Sequence, residues 1–323
     1  MAAPKIVIVT PAPPGSRSGN RNTAVRWSRI LRALGCRVAT TTHWEGEHCD
    51  CLIALHARKS APSLEAFVSR CPGRPAVLAL TGTDLYRDIH HDAAAQAALR
   101  QATRLVVLQE CAPLELDEAL RAKVRVIYQS ETAHGAWQPP RRHVRLCVLG
   151  HLREEKDPFR AALALGHLEH HAAVEVVHAG KALSEEMARE ARRLMGQEPR
   201  YRWIGELPHW RALRLMLRSH AMVISSRMEG GAHVVSEAIA AGVPVIASDI
   251  PGNRGMLGAD YPGYYPVEDE GTLAGLIERI GKETSWLMGL AEAVARRRPL
   301  VAPERERDAW RCLLREIGLA YSN

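Results

Sequence analysis

Two carboxylates eight residues apart, Glu229 and Glu237, flank the small-residue turn Gly230-Gly231-Ala232. An apolar strand pattern, Ala221-Met222-Val223-Ile224, leads into them, and a small-residue helix and a second apolar run, Val243–Ala247, follow. A turn of this kind offers free backbone N–H groups and the positive end of a helix to an anion. The two acids can grip hydroxyl groups beside it. The ligand that fits joins an anionic group to a polyhydroxylated one, which is the chemistry of a nucleotide-sugar.

A second group lies upstream, in Gly150-His151-Leu152-Arg153-Glu154-Glu155-Lys156-Asp157-Pro158, after the apolar run Val144–Leu149. Gly150 permits close backbone approach, and Arg153 and Lys156 offer cations to phosphate oxygens. A departing nucleoside diphosphate gains negative charge as its bond breaks, so fixed cations there lower the barrier without a metal. A solvated charged turn is the competing reading of this string. The second motif, downstream at a matching strand end, favours phosphate binding. For Glu237 the competing reading is an exposed helical acid, which its apolar flanks Val234, Val235, Ala238 and Ile239 disfavour. For Glu229 it is a structural turn acid.

The elements that must position these groups alternate strand with helix. In the first half, strands are expected at Lys5–Thr10, Arg37–Thr41, Cys51–Leu55, Ala76–Leu80, Arg104–Leu108 and Val124–Tyr128. A helix is expected from Asn20 to about Leu34, with Trp27, Ile30, Leu31 and Leu34 on one face. The irregular stretch 129–143 reads as a linker. The pattern then restarts with strands at Val144–Leu149, Val174–His178, Tyr201–Ile204, Ala221–Ser225 and Val243–Ala247, and ends in a charged helix from Pro303 to about Ile317. The expected class is α/β, with two doubly wound Rossmann-like domains facing across a cleft and ligands at the strands' carboxyl ends. Residues 1–138 form the acceptor-side domain and 139–300 the nucleotide-sugar domain. Residues 301–323 form a helix packing back on the first.

Composition agrees with this reading. Apolar residues make up 46% of the 323, yet only two are Phe, so Leu, Ile, Val and Ala must build the core. A formal charge of +7 suits an anionic partner without naming it. Seven scattered cysteines argue for reduced thiols in a cytoplasmic protein. No signal-peptide or membrane-spanning run is apparent, and neither nucleic acid nor a membrane is expected as a partner. The histidine groups His90-His91-Asp92 and His167, His170, His171 lack a completing ligand set, so no metal is expected. Glu268-Asp269-Glu270 reads as an exposed helix start, and Arg296-Arg297-Arg298 as a solvated helix end.

The Glu229–Glu237 spacing, followed by Ala241-Gly242-Val243-Pro244-Val245-Ile246, resembles the retaining glycosyltransferases of the GT-B fold, family 4. The resemblance implies that Glu229 contacts the donor sugar and Glu237 the ribose. It implies that Lys156 and the amides of Gly230, Gly231 and Ala232 hold the diphosphate, and that the turn Gly205-Glu206-Leu207 lies near the base. The family usually carries Arg directly after the glycine, where this chain has His151. Arg153 is then the substitute, or the donor grip is altered.

Pro11–Trp27 is a variant of the family's glycine-rich first loop. With Leu55-His56-Ala57-Arg58-Lys59-Ser60, Thr81-Gly82-Thr83-Asp84-Leu85-Tyr86 and the 150–158 segment, it is similar to selenosugar synthases of the selenoneine pathway. Those enzymes join selenophosphate to a UDP-sugar, chiefly UDP-N-acetylglucosamine, and need no cofactor. The resemblance places Gly19 on the donor side and Asn20, Arg17, Arg21, Arg58, Lys59 and Thr81 on the acceptor side.

Much of family 4 carries His at the position of Thr81. A hydroxyl acceptor benefits from a base as it attacks. Selenophosphate is already anionic and needs none, so cations become the more useful residues. Arg17, Arg21, Arg58 and Lys59 lie on predicted strand-end loops, with ordinary surface cations of a basic protein as the competing reading. Loss of the phosphoryl group after transfer is assigned to water assisted by His56 or Asp84. Two alternatives stand beside this reading. One is a family 4 enzyme with a hydroxyl or lipid acceptor, and the other a non-catalytic nucleotide-sugar-binding protein. Family membership implies retention at the anomeric carbon, and so reactive a nucleophile leaves inversion open.

Overall fold

Short runs of branched aliphatic residues set the architecture. In the computed structural model, which describes residues 2–16, 18–170 and 172–319, the chain divides into two compact units. The first comprises residues 1–130 and 303–323, the second 131–302.

The first unit holds strands β1 (Lys5–Val9), β2 (Arg37–Thr41), β3 (Cys51–Leu55), β4 (Ala76–Leu80), β5 (Arg104–Val107) and β6 (Val124–Val126). They form one parallel sheet in the order β2-β1-β3-β4-β5-β6. Side chains alternate across it, as a two-residue period demands. Val7, Val9, Leu52, Ala54, Leu78 and Leu80 enter the core on one face. Ile6, Ile8, Cys51, Ile53, Val77 and Ala79 enter the core on the other. Strands covered on both faces read as continuous apolar runs, which is why they were visible in the sequence.

Helix Gly19–Ala33 covers the second face through Trp27 and Leu31. Helix Pro303–Glu316 packs there too, with Trp310 edge-on to Trp27 at 4.8 Å between ring centroids. Such a pair contributes about 1 kcal/mol beyond its burial. Beneath it Glu306 is buried, accepting from Trp27 Nε1 at 3.0 Å and from the Ser130 backbone N–H at 2.8 Å. These bonds tie residue 130 into the first unit, and the division falls directly after it.

The second unit holds β7 (Val144–Leu149), β8 (Val174–Ala179), β9 (Tyr201–Trp203), β10 (Ala221–Ile224), β11 (Val245–Ser248) and β12 (Tyr264–Tyr265). Its parallel sheet runs β12-β11-β10-β7-β8-β9. Strand β11 begins at Val245 rather than Val243 because Pro244 has no N–H for the ladder. The two-residue β12 carries no readable period and was not anticipated. Among the described residues, no helix is long and apolar enough to cross a membrane, and all seven cysteines are free thiols.

Candidate active site

Each sheet reverses its winding once. In the second unit the reversal lies between β7 and β10, and in the first between β1 and β3. Loops leaving neighbouring strands there splay apart and open a crevice for ligands.

In the second unit the crevice loops are those after β7 and β10. Lys156 forms an ion pair with Glu229 Oε1, both side chains largely withdrawn from solvent. Ser226 Oγ donates to the same oxygen at 2.6 Å. Further bonds fix the backbone beneath: Ser225 Oγ donates to Asp157 O at 2.7 Å, and the Arg227 N–H to Glu155 O at 2.9 Å. Ser248 Oγ, at the end of β11, donates to Ser226 O at 2.6 Å, and Asn253 Nδ2 donates to Ser248 O at 2.9 Å. Two close approaches require glycine. A Cβ on Gly180 would stand 1.7 Å from Gly150 O, and one on Gly252 would stand 2.0 Å from Glu229 O.

Asp157 adopts a left-handed conformation, φ 42°, and anchors buried Arg160 through Nε at 2.7 Å. Arg160 also donates to Glu268 O at 2.9 Å and to the Glu270 carboxylate at 2.5 Å. It thereby braces the Lys156 loop from behind. This role was not readable in the sequence, because two of the three partners of Arg160, Glu268 and Glu270, lie more than a hundred residues away.

The diphosphate elements expected from the sequence are brought together here. Helix His233–Ala241 starts from Ala232, which has no side-chain oxygen to cap it. No side chain caps its start, and the positive end of the helix suits an anion. A small cavity lies between the carboxyl ends of β7 and β10, lined by Gly150, His151, Lys156, His178, Ser225 and Ser226. Burial and nearby cations hold the His151 imidazole below its ordinary pKa. Its Nδ1 accepts from the Lys181 N–H at 3.1 Å, leaving Nε2–H as a neutral donor. Arg153 points to solvent and forms no ion pair among the described residues. Gly205 follows β9 in a left-handed turn at φ 72°.

Buried His178 supports the floor. Its Nε2–H donates to Gly150 O at 3.1 Å and its Nδ1 accepts from the Tyr201 hydroxyl at 3.0 Å. Burial holds its pKa down at about 4, so the ring is neutral.

Glu237 is also buried. Burial alone would raise its pKa, but hydrogen bonds from His209 and His233, with their charge, hold it at about 2. The contacts are His209 Nε2 at 2.8 Å and His233 Nδ1 at 3.2 Å, both on Oε1. Sequence reasoning missed both histidines. The spacing of His233 to Glu237, one helical turn, was readable; the approach of His209, 28 residues away, was not.

In the first unit, Gly19 and Asn20 open the helix after β1, capped by Ser18. Arg21 follows, and its Nη1 lies out of solvent with no hydrogen-bond partner among the described residues. The Thr10 hydroxyl at the end of β1 is likewise buried and unpartnered. Arg17 lies outside the described residues. Arg58 is half-exposed and donates to Asp88 at 3.1 Å, while Lys59 is exposed.

Asp84 is fully buried and accepts from the backbone N–H groups of Ala57 (2.9 Å), Thr81 (3.2 Å) and Gly82 (2.9 Å). Its carboxylate thus ties the loop after β3 to the loop after β4, which is a positioning geometry. His56, in a left-handed conformation at φ 77°, stands on that tied loop with Nε2 3.8 Å from Asp88. Burial lowers its pKa.

Two parallel, doubly wound α/β units, one with paired acids and a cation around an uncapped helix start, set the class of protein. The chain belongs to the glycosyl transferases group 1, which match it over residues 129–292. It is therefore a glycosyltransferase. It is similar over 99% of its length to all of a sucrose-phosphate synthase from Thermosynechococcus elongatus, with TM-score 0.81 and 16% identity. Anabaena HepE in complex with UDP-glucose matches 98% of the chain over its own full length, with TM-score 0.73 and 14% identity. A glycosyltransferase from Rickettsia africae covers 99%, again over its full length, with TM-score 0.76 and 12% identity. At these identities the likeness establishes the fold, which is GT-B. A search of curated protein sequences gave no match.

Proposed function

We propose that this glycosyltransferase moves a sugar from a UDP-sugar to selenophosphate, without a metal or other cofactor, and releases UDP. The observation that carries the acceptor reading is Arg21. Its buried, unpartnered guanidinium nitrogen sits at the first turn of a fifteen-residue helix, where the positive end of the helix also favours an anion. Asn20, Lys59 and the N–H groups beside Arg21 complete the anion grip, and Arg58 and Arg17 add to the local positive charge. The likeness to HepE in complex with UDP-glucose supports a UDP-sugar donor. N-acetylglucosamine is the sugar favoured by the resemblance to selenosugar synthases.

In this reading Glu237 takes the ribose, and the Gly230–Ala232 amides with Lys156 and His151 take the diphosphate. Glu229, held by Lys156 and Ser226, faces the donor sugar. A selenium lone pair attacks the anomeric carbon as the bond to the diphosphate oxygen breaks, and that oxygen keeps the electron pair as UDP leaves. Thr81 supplies no base, and the anionic nucleophile requires none. Water then attacks phosphorus and the P–Se bond breaks. This releases inorganic phosphate and a selenosugar, with the His56 ring handling the water's proton from the loop that Asp84 holds.

The test incubates the protein with UDP-N-acetylglucosamine and UDP-glucose, with and without selenophosphate, and follows UDP and selenium-bearing sugars by mass spectrometry. Selenophosphate-dependent UDP release with a C–Se product supports the proposal. UDP release that ignores selenophosphate and responds to an alcohol overturns it. Arg21→Ala is expected to raise KM for selenophosphate and leave UDP binding unchanged.

A further inference from the structure

Glu237 does not stand alone. Four side chains from three segments cluster with it: Glu131 and His134 from the start of the second unit, His209 from the helix after β9, and His233 from its own helix after β10. His209 Nε2 and His233 Nδ1 both meet Glu237 Oε1, at 2.8 and 3.2 Å, and neither meets Oε2. The other nitrogen of His233 faces Glu131 Oε2 at 3.4 Å. Glu131 Oε1 lies 3.2 Å from His134 Nε2.

A carboxylate with two N–H donors on one oxygen has its rotation fixed and its second oxygen left for a ligand. His233 has a carboxylate on each ring nitrogen. Both ring nitrogens are thereby held in place, which fixes the orientation of the ring. The Glu237 side chain is buried, while His209 covers it from the solvent side and His233 is partly buried.

We infer that His209 and His233 are positioning residues for donor binding. They clamp Oε1 of Glu237 so that Oε2 is presented, in one orientation, to the vicinal hydroxyls of the nucleotide ribose. Glu131 holds His233 in the required ring orientation. The inference rests on the ribose role of Glu237 proposed above.

The geometry makes the test specific to individual ring nitrogens. An Asn side chain places its amide near the Nδ1 of a histidine, and Gln reaches the position of Nε2. UDP affinity of the full-length protein is measured by titration calorimetry, with thermal unfolding as a folding check. His233→Ala is expected to weaken UDP roughly tenfold, the loss of one hydrogen bond to a charged group. His233→Asn is expected to restore most of the affinity, and His233→Gln is not. At residue 209 the order reverses, with His209→Gln restoring and His209→Asn failing. Turnover at saturating donor should be unchanged, so the effect appears in KM alone.

Equal affinities for the Ala, Asn and Gln variants, with Glu237→Ala weakening UDP, overturn the positioning role and leave the ribose role intact. Wild-type affinity in Glu237→Ala overturns both. Donor atoms of Glu131, His233 and Glu237 also lie within 4.8 Å of one another, a spacing that a divalent cation could bridge. Loss of UDP affinity in wild-type protein on treatment with EDTA would assign the cluster to a cation and overturn the clamp.

Discussion

Gly252 lies so close beneath Glu229 that a methyl group on its Cα would stand 2.0 Å from the Glu229 carbonyl oxygen and 2.9 Å from its Cβ. The Glu229 loop is therefore seated on the start of the helix Pro251–Leu257, which follows β11. Gly252→Ala is expected to push the Glu229 loop away. The overpacking costs about 1–3 kcal/mol. A displacement of about 1 Å at a reacting group lowers turnover roughly a hundredfold. Steady-state kinetics and thermal unfolding on the one variant read both effects.

Lys156 gives a second prediction. Its ammonium is paired with Glu229 in the crevice, whereas Arg153 is exposed. Lys156→Met should lower kcat about 10²- to 10³-fold through loss of charge stabilisation on the leaving diphosphate. Arg153→Met should change it little. Equal losses in the two variants would show that the exposed arginine shares the load.

His178 makes stability depend on pH. Its pKa is about 4 in the fold against an ordinary 6.5, because the buried ring cannot easily take a proton. The unfolded chain therefore binds the proton more readily. The stability from this residue is full above pH 6.5, erodes as pH falls from 6.5, and is gone below about 4. The loss amounts to about 3 kcal/mol. Urea unfolding at a series of pH values should show the slope in wild-type protein and a flatter profile in His178→Gln.

Glu306 supports the first unit from beneath Trp27. Glu306→Ala strands the Trp27 N–H and the Ser130 N–H without acceptors, and is expected to cost about 3 kcal/mol. Glu306→Gln keeps a carbonyl oxygen at the site and should cost less. The difference is read from the midpoints of urea unfolding curves.

The sheets were legible because their strands are buried on both faces. Cys51–Leu55 and Ala76–Leu80 carry unbroken apolar runs, Val144–Leu149 is apolar but for Arg145, and each became a strand with those limits. The Tyr264–Tyr265 strand was illegible because two residues hold no period. At the site, the neighbours along the chain were visible: the glycine turn, both acids and the Lys156 loop. The partners that fix their geometry come from elsewhere in the sequence. Arg160 acts through Glu268 and Glu270, Ser248 through Ser226, and His209 through Glu237. These pairings are set by strand order, and strand order is not written in local composition.

Helix Pro303–Glu316 completes the first unit although the whole of the second is synthesised before it. On the ribosome, the apolar face carrying Trp27 and Leu31 must wait without its cover until residues 131–302 have been made. The first unit is begun early and finished last. Nascent chains that stall, or are cleaved, between the two units present that bare face to chaperones and to one another. A stop codon near 302 should therefore yield a poorly soluble first unit, even though the second retains every residue of its sheet.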